Sequence, residues 1–345
     1  MPSIVPQCQA NGSMSNQTAL QLEYGASRSW QALVLGRAGM DLYPEPDGCK
    51  IHEAFSFSSD LGGSAGNIAV AMAKAGASVS LISALSDDPV GHFVRQRLQA
   101  AGVDISLIIN TSGNERTSLA LAEVRDSNCE VVIYRNNAAD LKLRCSDPVK
   151  LAVTKASNLV ITGTCLVDPD SRLHAIKIMT HANNSGCQVW LDLDYRAWNW
   201  ASIEATRAAY KEATALAQVL IGNSEEFTVL CDDLETQIKQ CQQRGQVMIC
   251  KRGSSGATLY AGKSQLNSGI YALDTLKPYG SGDAFLGNLL VHYMNSGDWL
   301  EAVDAGSAAA ALVVSQRGCA SAMPTSDQIK TLQLGQTMNP AANWS

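Results

Sequence analysis

The 345-residue sequence is short of charge: Lys and Arg number 26, Asp and Glu 32, giving a net charge of −6, and charged residues make up 17%. No stretch concentrates Lys or Arg, which argues against a binder of nucleic acid or of an anionic membrane surface, since both depend on basic patches. Any anion this chain handles must be met locally, against its overall field. The ten cysteines (8, 49, 129, 145, 165, 187, 231, 241, 250 and 319) are never closer than nine residues, so the C-x-x-C spacing of zinc knuckles and thioredoxin-type sites is missing. In a chain of this length they read as buried, reduced thiols of a cytoplasmic protein. No run approaches the ~18 apolar residues of a membrane span. The five histidines (52, 92, 174, 181 and 292) show neither metal-ligand spacing nor a nucleophile triad. Apolar residues, by contrast, reach 46%, enough for a sizeable core in one large or two medium domains.

Residues 1–28 are rich in Gln, Ser and Asn, hold only Glu23 and Arg28 as charges, and lack a basic segment followed by an apolar run. They read as a disordered tail and not as a signal peptide. From residue 30 the pattern alternates. Short apolar runs at 32–35, 79–82, 159–162, 189–193, 219–221 and 247–250 predict buried strands. Between and after them, 64–75, 89–101, 170–185, 202–217, 224–231, 233–243, 283–296 and 299–316 predict helices. This alternation predicts an α/β fold with a mostly parallel sheet covered by helices on both faces. Two segments break the rhythm, about 43–60 and 116–136. The second has Leu119, Leu121 and Val124 facing Val131, Ile133 and Tyr134 across a turn at 125–128, which predicts a hairpin. Together they suit a small sheet acting as a lid.

Four places carry chemistry. Gly280-Ser281-Gly282-Asp283-Ala284-Phe285 opens a helix with Phe285, Leu286, Leu289, Leu290 and Tyr293 at helical spacing. Glycines before a helix leave converging backbone N–H groups that make an anion hole. Asp283 is either an ordinary helix-start acid or a base for a hydroxyl that attacks a phosphorus held over those N–H groups. Gly62-Gly63-Ser64-Ala65-Gly66-Asn67 opens an Ala-rich helix; the glycines serve tight packing or close approach to a ligand. Asp41, after the first strand and Arg37, is a loop cap or an acceptor for two sugar hydroxyls. Asn223-Ser224-Glu225-Glu226 is a capping box, or a holder of water around Mg²⁺. Arg116, Arg135 and Arg196 fall at strand or hairpin ends, either as solvated arginines or as partners for a carboxylate-bearing substrate. Gly262-Lys263-Ser264 is not a Walker loop, because five residues separate Gly256 from Gly262 where four are needed. Phe285 occupies the third glycine position of a dinucleotide fingerprint.

These motifs, in this order, resemble the ribokinase-like or PfkB family of carbohydrate kinases, over about residues 30–325. The resemblance implies ATP and Mg²⁺ dependence, with Asp283 as base and Gly280, Ser281 and Gly282 as the anion hole. It places Asn223 and Glu226 around Mg²⁺ through water, and Asp41, Gly62, Gly63 and Asn67 on the sugar. The segment holding Lys251, Gly253 and Gly256 lies by the nucleotide, and the off-rhythm segments are the family's β-lid. Within the family, 36–44, Tyr134-Arg135-Asn136, Ala138-Ala139-Asp140, Asp192-x-Asp194-Tyr195-Arg196 and Lys277-Pro278-Tyr279 resemble a subgroup whose substrate is a six-carbon keto sugar acid of inositol catabolism. The arginines Arg37, Arg116, Arg135 and Arg196 suit such a substrate.

Ser281 stands where Ala is usual, Asn137 where the subgroup tends to have Gly, and Ala197 where Pro is common. Lys277-Pro278 replaces an Asp-Thr pair that many relatives use at a monovalent-cation site, so the Lys277 ammonium, or no cation, serves there. The expected organisation is a tail at 1–28, a kinase domain at 29–330 with the lid segments inside it, and a second tail at 331–345. Lid-mediated pairing of relatives implies a homodimer. The alternatives are a kinase for another sugar acid such as 2-dehydro-3-deoxygluconate or for a neutral sugar of the fructose or ribose type, a non-catalytic sugar- or nucleotide-binding regulator, and, against the missing fingerprint, a dinucleotide oxidoreductase.

Overall fold

The computed structural model describes residues 29–336, 338 and 339, so the tail expected at 1–28 lies outside the described residues. Its strands are β1 (Trp30–Leu35), β2 (Gly39–Glu45), β3 (Ser56–Gly62), β4 (Val79–Ser86), β5 (Ile108–Thr111), β6 (Leu119–Ala122), β7 (Val131–Tyr134), β8 (Ala156–Thr162), β9 (Gln188–Asp192), β10 (Val219–Asn223), β11 (Val247–Lys251), β12 (Ala257–Ala261) and β13 (Ser264–Ser268). The helices are α1 (Ser64–Lys74), α2 (Pro89–Ala100), α3 (Asp147–Thr154), α4 (Pro169–Asn184), α5 (Ile203–Leu216), α6 (Ser224–Leu230), α7 (Leu234–Gln243), α8 (Ser281–Ser296), α9 (Trp299–Val314) and α10 (Ser326–Gly335).

Nine strands form the main sheet in the order β13-β12-β11-β10-β9-β8-β1-β4-β5. It is parallel apart from β11–β12 and β12–β13. Strands buried on both faces carry apolar side chains in both directions, which is why they read as continuous runs. Ala32 and Val34 of β1 join α1, α2, α8, α9 and α10 in one core, whereas Leu33 and Leu35 join α3 to α7 in the other. Several helix starts are fixed by side-chain caps: Asp88, Asp168 and Asp298 each accept two backbone N–H bonds, and Pro opens α2 and α4. Because the strands are parallel, β1, β8, β9, β10 and β11 all end on one edge, and residues that follow β1, β8, β9 and β10 line one cavity.

The second sheet, β3-β2-β6-β7, is the lid. It begins at Gly39 and not near 43, because β2 pairs with β3 along its whole length from Gly39↔Gly62 to Glu45↔Ser56. β2 also pairs in parallel with β6, and β6 with β7 in register Leu119↔Tyr134 to Ala122↔Val131. Arg317 holds the lid to the body through the carbonyl oxygens of Tyr43 and Pro44 and through Glu45 and Asp47. Tyr279 stacks on Tyr43 with ring centroids 6.2 Å apart, and its hydroxyl donates to Glu123 O at 2.9 Å.

The expected C-terminal boundary at 330 needs correction. α10 runs on to Gly335 with Leu332 buried, and the backbone of Asn339 exchanges hydrogen bonds with Ile270, so the chain stays attached beyond 330. β5, α3 and the β12–β13 hairpin were not expected from the sequence pattern.

Candidate active site

A cavity of about 460 Å³ lies between the carboxyl edge of the main sheet, the lid and the start of α8. The sequence pattern brings Arg37, Asp41, Gly63, Asn67, Arg135, Arg196, Asn223, Glu226, Gly280 and Asp283 to its wall. An open hollow of about 550 Å³ at the lid's base, around Asp47, Asp126 and Thr275, shares none of these residues.

Gly280 precedes α8 with φ 87°, the left-handed region that costs glycine nothing. This sharp turn aims the first turn of α8 at the cavity. The N–H groups of Ser281, Gly282 and Asp283 have no partner within the helix, since the first internal bond runs from Ala284 N to Gly280 O. Asp283 stands among them. Asn67, from α1, donates to its Oδ2 at 2.8 Å, joining the two glycine motifs across 216 residues. Burial pushes the Asp283 carboxyl up to about 7, helped by the charges of Asp194 and Asp192 and opposed by the Asn67 bond and by Lys251.

Asp41 rises from β2 beneath the lid. Its Oδ2 accepts from the Tyr43 hydroxyl at 3.3 Å, while Oδ1 is buried without a protein partner. Burial raises its pKa to about 6, with Arg37 pulling down and Asp60 pushing up. Gly62 does not line the cavity. It lies under Asp41, and a Cβ there would be 1.8 Å from Oδ1. Gly63, with φ 90°, lets the chain pass Arg37 O, which a Cβ would approach to 2.5 Å.

The three arginines at the cavity are not equivalent. Arg37 donates to Ser118 Oγ at 3.0 Å. Arg135 is paired with Asp140 and donates to Thr164 O. Arg196 lies 2.8 Å from Asp194 and 3.8 Å from Glu226. Arg116 is not brought to the site: its backbone is tied to 137–139, and its side chain points outward, 65% exposed, 4.0 Å from Asp88.

Asn223 and Glu226 form the capping box in full. Asn223 Oδ1 accepts from Glu226 N at 2.8 Å, and Glu226 Oε2 accepts from Asn223 N at 2.7 Å. Glu226 Oε1 also accepts from Tyr195 N at 3.1 Å. Both residues line the cavity, and among the described residues no three His, Cys, Asp or Glu side chains converge as a direct metal cage. The pair therefore fits a hydrated Mg²⁺ held through water, which is how that ion usually binds.

Lys251 ends β11 and does not line the cavity; its Nζ lies 3.1 Å from the point a Cβ on Gly282, in the first turn of α8, would occupy. Gly253 and Gly256 lie in the turn after it, away from the cavity. Glycine at 256 is accounted for by packing, since a Cβ would come 2.0 Å from Ser268 O. Lys277, fully buried, donates from Nζ to the carbonyl oxygens of Tyr279 at 2.9 Å and Val313 at 3.1 Å. Burial draws its pKa below the usual lysine range, against the pull of Cys319, Asp60, Asp283 and Asp41.

Sequence reasoning missed Ser64 as a site residue and left Asp194 unassigned. The Ser64 hydroxyl donates to Asp194 Oδ2 at 2.5 Å, and Asp194 holds φ 38°, a strained conformation for a non-glycine residue. The repeated acid in Asp192-Leu193-Asp194 at the end of a buried strand was the available signal. Tyr279, part of the Lys277-Pro278-Tyr279 segment, and Cys319, which no local pattern marks, also reach the wall.

Residues 31–326 match the pfkB family carbohydrate kinases. This chain belongs to that family. A 5-dehydro-2-deoxygluconokinase from Photobacterium profundum is 38% identical over 311 residues, covering 87% of this chain and 93% of that protein. Among solved structures, the fructokinase of Xylella fastidiosa with bound ATP superposes with a TM-score of 0.79 at 24% identity, covering 88% of this chain and 98% of that one. An E. coli protein of the ribokinase type, in complex with ATP and Mg²⁺, gives 0.82 at 21% identity, covering 89% and 100%. The pfkB carbohydrate kinase is thus ribokinase-like in fold, with the lid formed from within the chain. Among its described residues, no helix is long and apolar enough to cross a membrane.

Proposed function

We propose that this kinase transfers the γ-phosphoryl group of ATP to the terminal hydroxyl of 5-dehydro-2-deoxy-D-gluconate, giving the 6-phosphate. The observation that carries the reading is Asp283, half-buried at the start of α8 among free backbone N–H groups and opening on a cavity that also holds Arg37, Arg135 and Arg196. Relatives that are 5-dehydro-2-deoxygluconokinases, at up to 38% identity, support the substrate. Asp283 accepts the hydroxyl proton as the oxygen attacks phosphorus, and the N–H groups of 281–283 meet the charge on the transferred oxygens. Asp41 Oδ1 accepts a sugar hydroxyl, and the arginines face the substrate carboxylate. Mg²⁺, organised through water by Asn223 and Glu226, supplies charge neutralisation on the phosphates. The lid strands, which carry Asp41, Ala120, Ala122, Val131 and Ile133, and Arg135 just after β7, exclude water and complete the site.

One assay tests both the substrate and the cation expectation. ATP consumption measured over a panel of sugars and sugar acids is expected to be fastest with 5-dehydro-2-deoxygluconate. The rate is expected to be the same with and without K⁺, because the buried Lys277 ammonium takes the cation's place among main-chain carbonyls. A faster rate with 2-dehydro-3-deoxygluconate or a neutral sugar overturns the substrate; strong K⁺ activation overturns the role of Lys277.

The lid also supports a homodimer. Its register places Phe57, Leu42, Leu121, Val132, Leu119 and Tyr134 on the face away from Asp41. Of these, Phe57, Val132 and Tyr134 are 37%, 44% and 58% exposed. A second copy is the occupant this apolar face suits. Light scattering is expected to give twice the chain mass, and Val132→Lys with Tyr134→Lys half of that. A monomeric wild type sinks the idea.

A further inference from the structure

Lys251 stands at the end of β11, two strands from β9. Its Nζ lies 3.2 Å from Asp192 Oδ1, and the two side chains are 19% and 3% exposed. The same nitrogen lies 3.1 Å from the point a Cβ on Gly282 would occupy. Outside the glycine, its chain neighbours and the nearby backbone of α8, it is the one heavy atom within 4 Å of that point among the described residues. Gly282 does not adopt a positive φ, so its backbone does not demand glycine. What a side chain there would fill is the space between the ammonium and the first turn of α8.

For the fold alone this placement is unfavourable. A cation at a helix N-terminus faces the positive end of the helix dipole, and its burial adds a desolvation cost. Burial does work against the charge of Lys251, but Asp192, Glu226 and Asp283 outweigh it and hold the ammonium above the usual lysine range. The result is a permanent point charge, fixed by Asp192 and aimed at the gap where anionic oxygens meet α8.

We propose that Lys251 is a catalytic residue that grips the phosphoryl group in transfer, that Asp192 is its positioning residue, and that Gly282 keeps the gap between ammonium and helix open for one phosphoryl oxygen. The inference rests on Asp283 and α8 being the transfer site. In the step, the acceptor oxygen forms a bond to the γ-phosphorus while the bond from that phosphorus to the bridging oxygen breaks. The electron pair leaves with ADP, and the hydroxyl proton passes to Asp283. Lys251 keeps its proton throughout and donates hydrogen bonds to an equatorial oxygen whose charge is largest in the transition state. A compact ammonium fits a single-oxygen gap, where a planar guanidinium would not.

The test uses the full chain and its best acceptor, with kcat, KM for ATP, ADP affinity by calorimetry and melting temperature as readouts. Lys251→Met is expected to lower kcat by between ~10- and ~10²-fold while ADP affinity stays within about threefold, and Lys251→Arg to leave the loss largely unrecovered, because the guanidinium does not fit the gap. Gly282→Ala is expected to lower kcat in the wild type and to have little further effect beside Lys251→Met, because both act on one gap. If Lys251→Met leaves Asp192 unpaired and fails to fold, Lys251→Met with Asp192→Asn removes both charges, and Gly282→Ala alone still tests the gap. Near-normal kcat in these variants, a loss confined to ATP and ADP affinity, or additive effects of Gly282 and Lys251 overturns the proposal. A wild type that binds ADP but phosphorylates nothing overturns the transfer-site reading instead.

Discussion

Asp283→Asn is expected to fold normally and to lose between ~10² and ~10⁴ in turnover, the range for removing a general base. The substitution keeps shape: an asparagine oxygen can still accept from Asn67, which donates to Asp283 Oδ2 at 2.8 Å. What it removes is the ability to take a proton. Burial, reinforced by Asp194 and Asp192, raises the Asp283 pKa to about 7, so the group is mixed at neutral pH. A base works in its deprotonated form, so kcat of the wild type is expected to climb from pH 6 to pH 8 and then level. In Asp283→Asn that climb disappears. Stability moves the other way. An acid whose pKa is raised on folding from 3.8 stabilises the fold in its protonated form, fully below the unfolded value and progressively less as pH rises through about 7. The asparagine variant should therefore melt higher than the wild type at pH 8, and this advantage should shrink at pH 5. Near-normal turnover would refute the assignment of the base. A pH climb that survives in the variant would place the titration elsewhere, with Asp41, at about 6, the first group to examine.

The parts of this molecule that are legible in the sequence share one physical origin: local chemistry repeated over a short span. Buried parallel strands announce themselves as apolar runs, and capped helices by Asp88-Pro89 and Asp168-Pro169. The two glycine motifs are legible because a sharp turn into a helix restricts residue type within a few positions. What is not legible depends on distant partners. β13 reads Ser-Gln-Leu-Asn-Ser and becomes the edge strand of the main sheet through its pairing with β12. The lid starts earlier than its composition suggests because β2 is held by β3 on one side and by β6 on the other. Arg116 and Arg135 look alike in sequence, and side-chain direction alone separates the exposed one from the one in the cavity. The Ser64–Asp194 bond spans 130 residues, and the nearness of Lys251 to Gly282 follows from how β11 and α8 meet, which no spacing encodes. At Asn223 and Glu226 the structural reading holds, and the lone pairs left over keep the water-mediated Mg²⁺ role chemically available.

Gly62→Ala is expected to lower kcat/KM for the acceptor by at least ~10²-fold while KM for ATP changes little, through a single methyl group that never reaches the cavity. Gly62 ends β3 opposite Gly39, and the Asp41 carboxylate lies flat against it: a Cβ would meet Oδ1 at 1.8 Å, Cγ at 2.0 Å and Oδ2 at 2.2 Å. No such contact is tolerated, so the carboxylate or the strand must move. Asp41 has little room to give. It is 8% exposed and held at one oxygen by Tyr43, with Asp60 close enough to oppose its charge. Its other oxygen, buried and unpartnered by protein, is the one that a substrate hydroxyl would satisfy, and a displacement of about 1 Å removes that geometry. Overpacking at this site is also expected to cost roughly 1–3 kcal/mol of stability, measurable by denaturant unfolding. A double-mutant cycle separates the two effects. In an Asp41→Ala background the cavity left by the carboxylate accepts the extra methyl, so Gly62→Ala should then change neither stability nor acceptor KM appreciably, although Asp41→Ala alone weakens acceptor binding. If Gly62→Ala instead binds the acceptor normally, Asp41 does not hold the sugar, and the glycine serves the strand pairing of the lid.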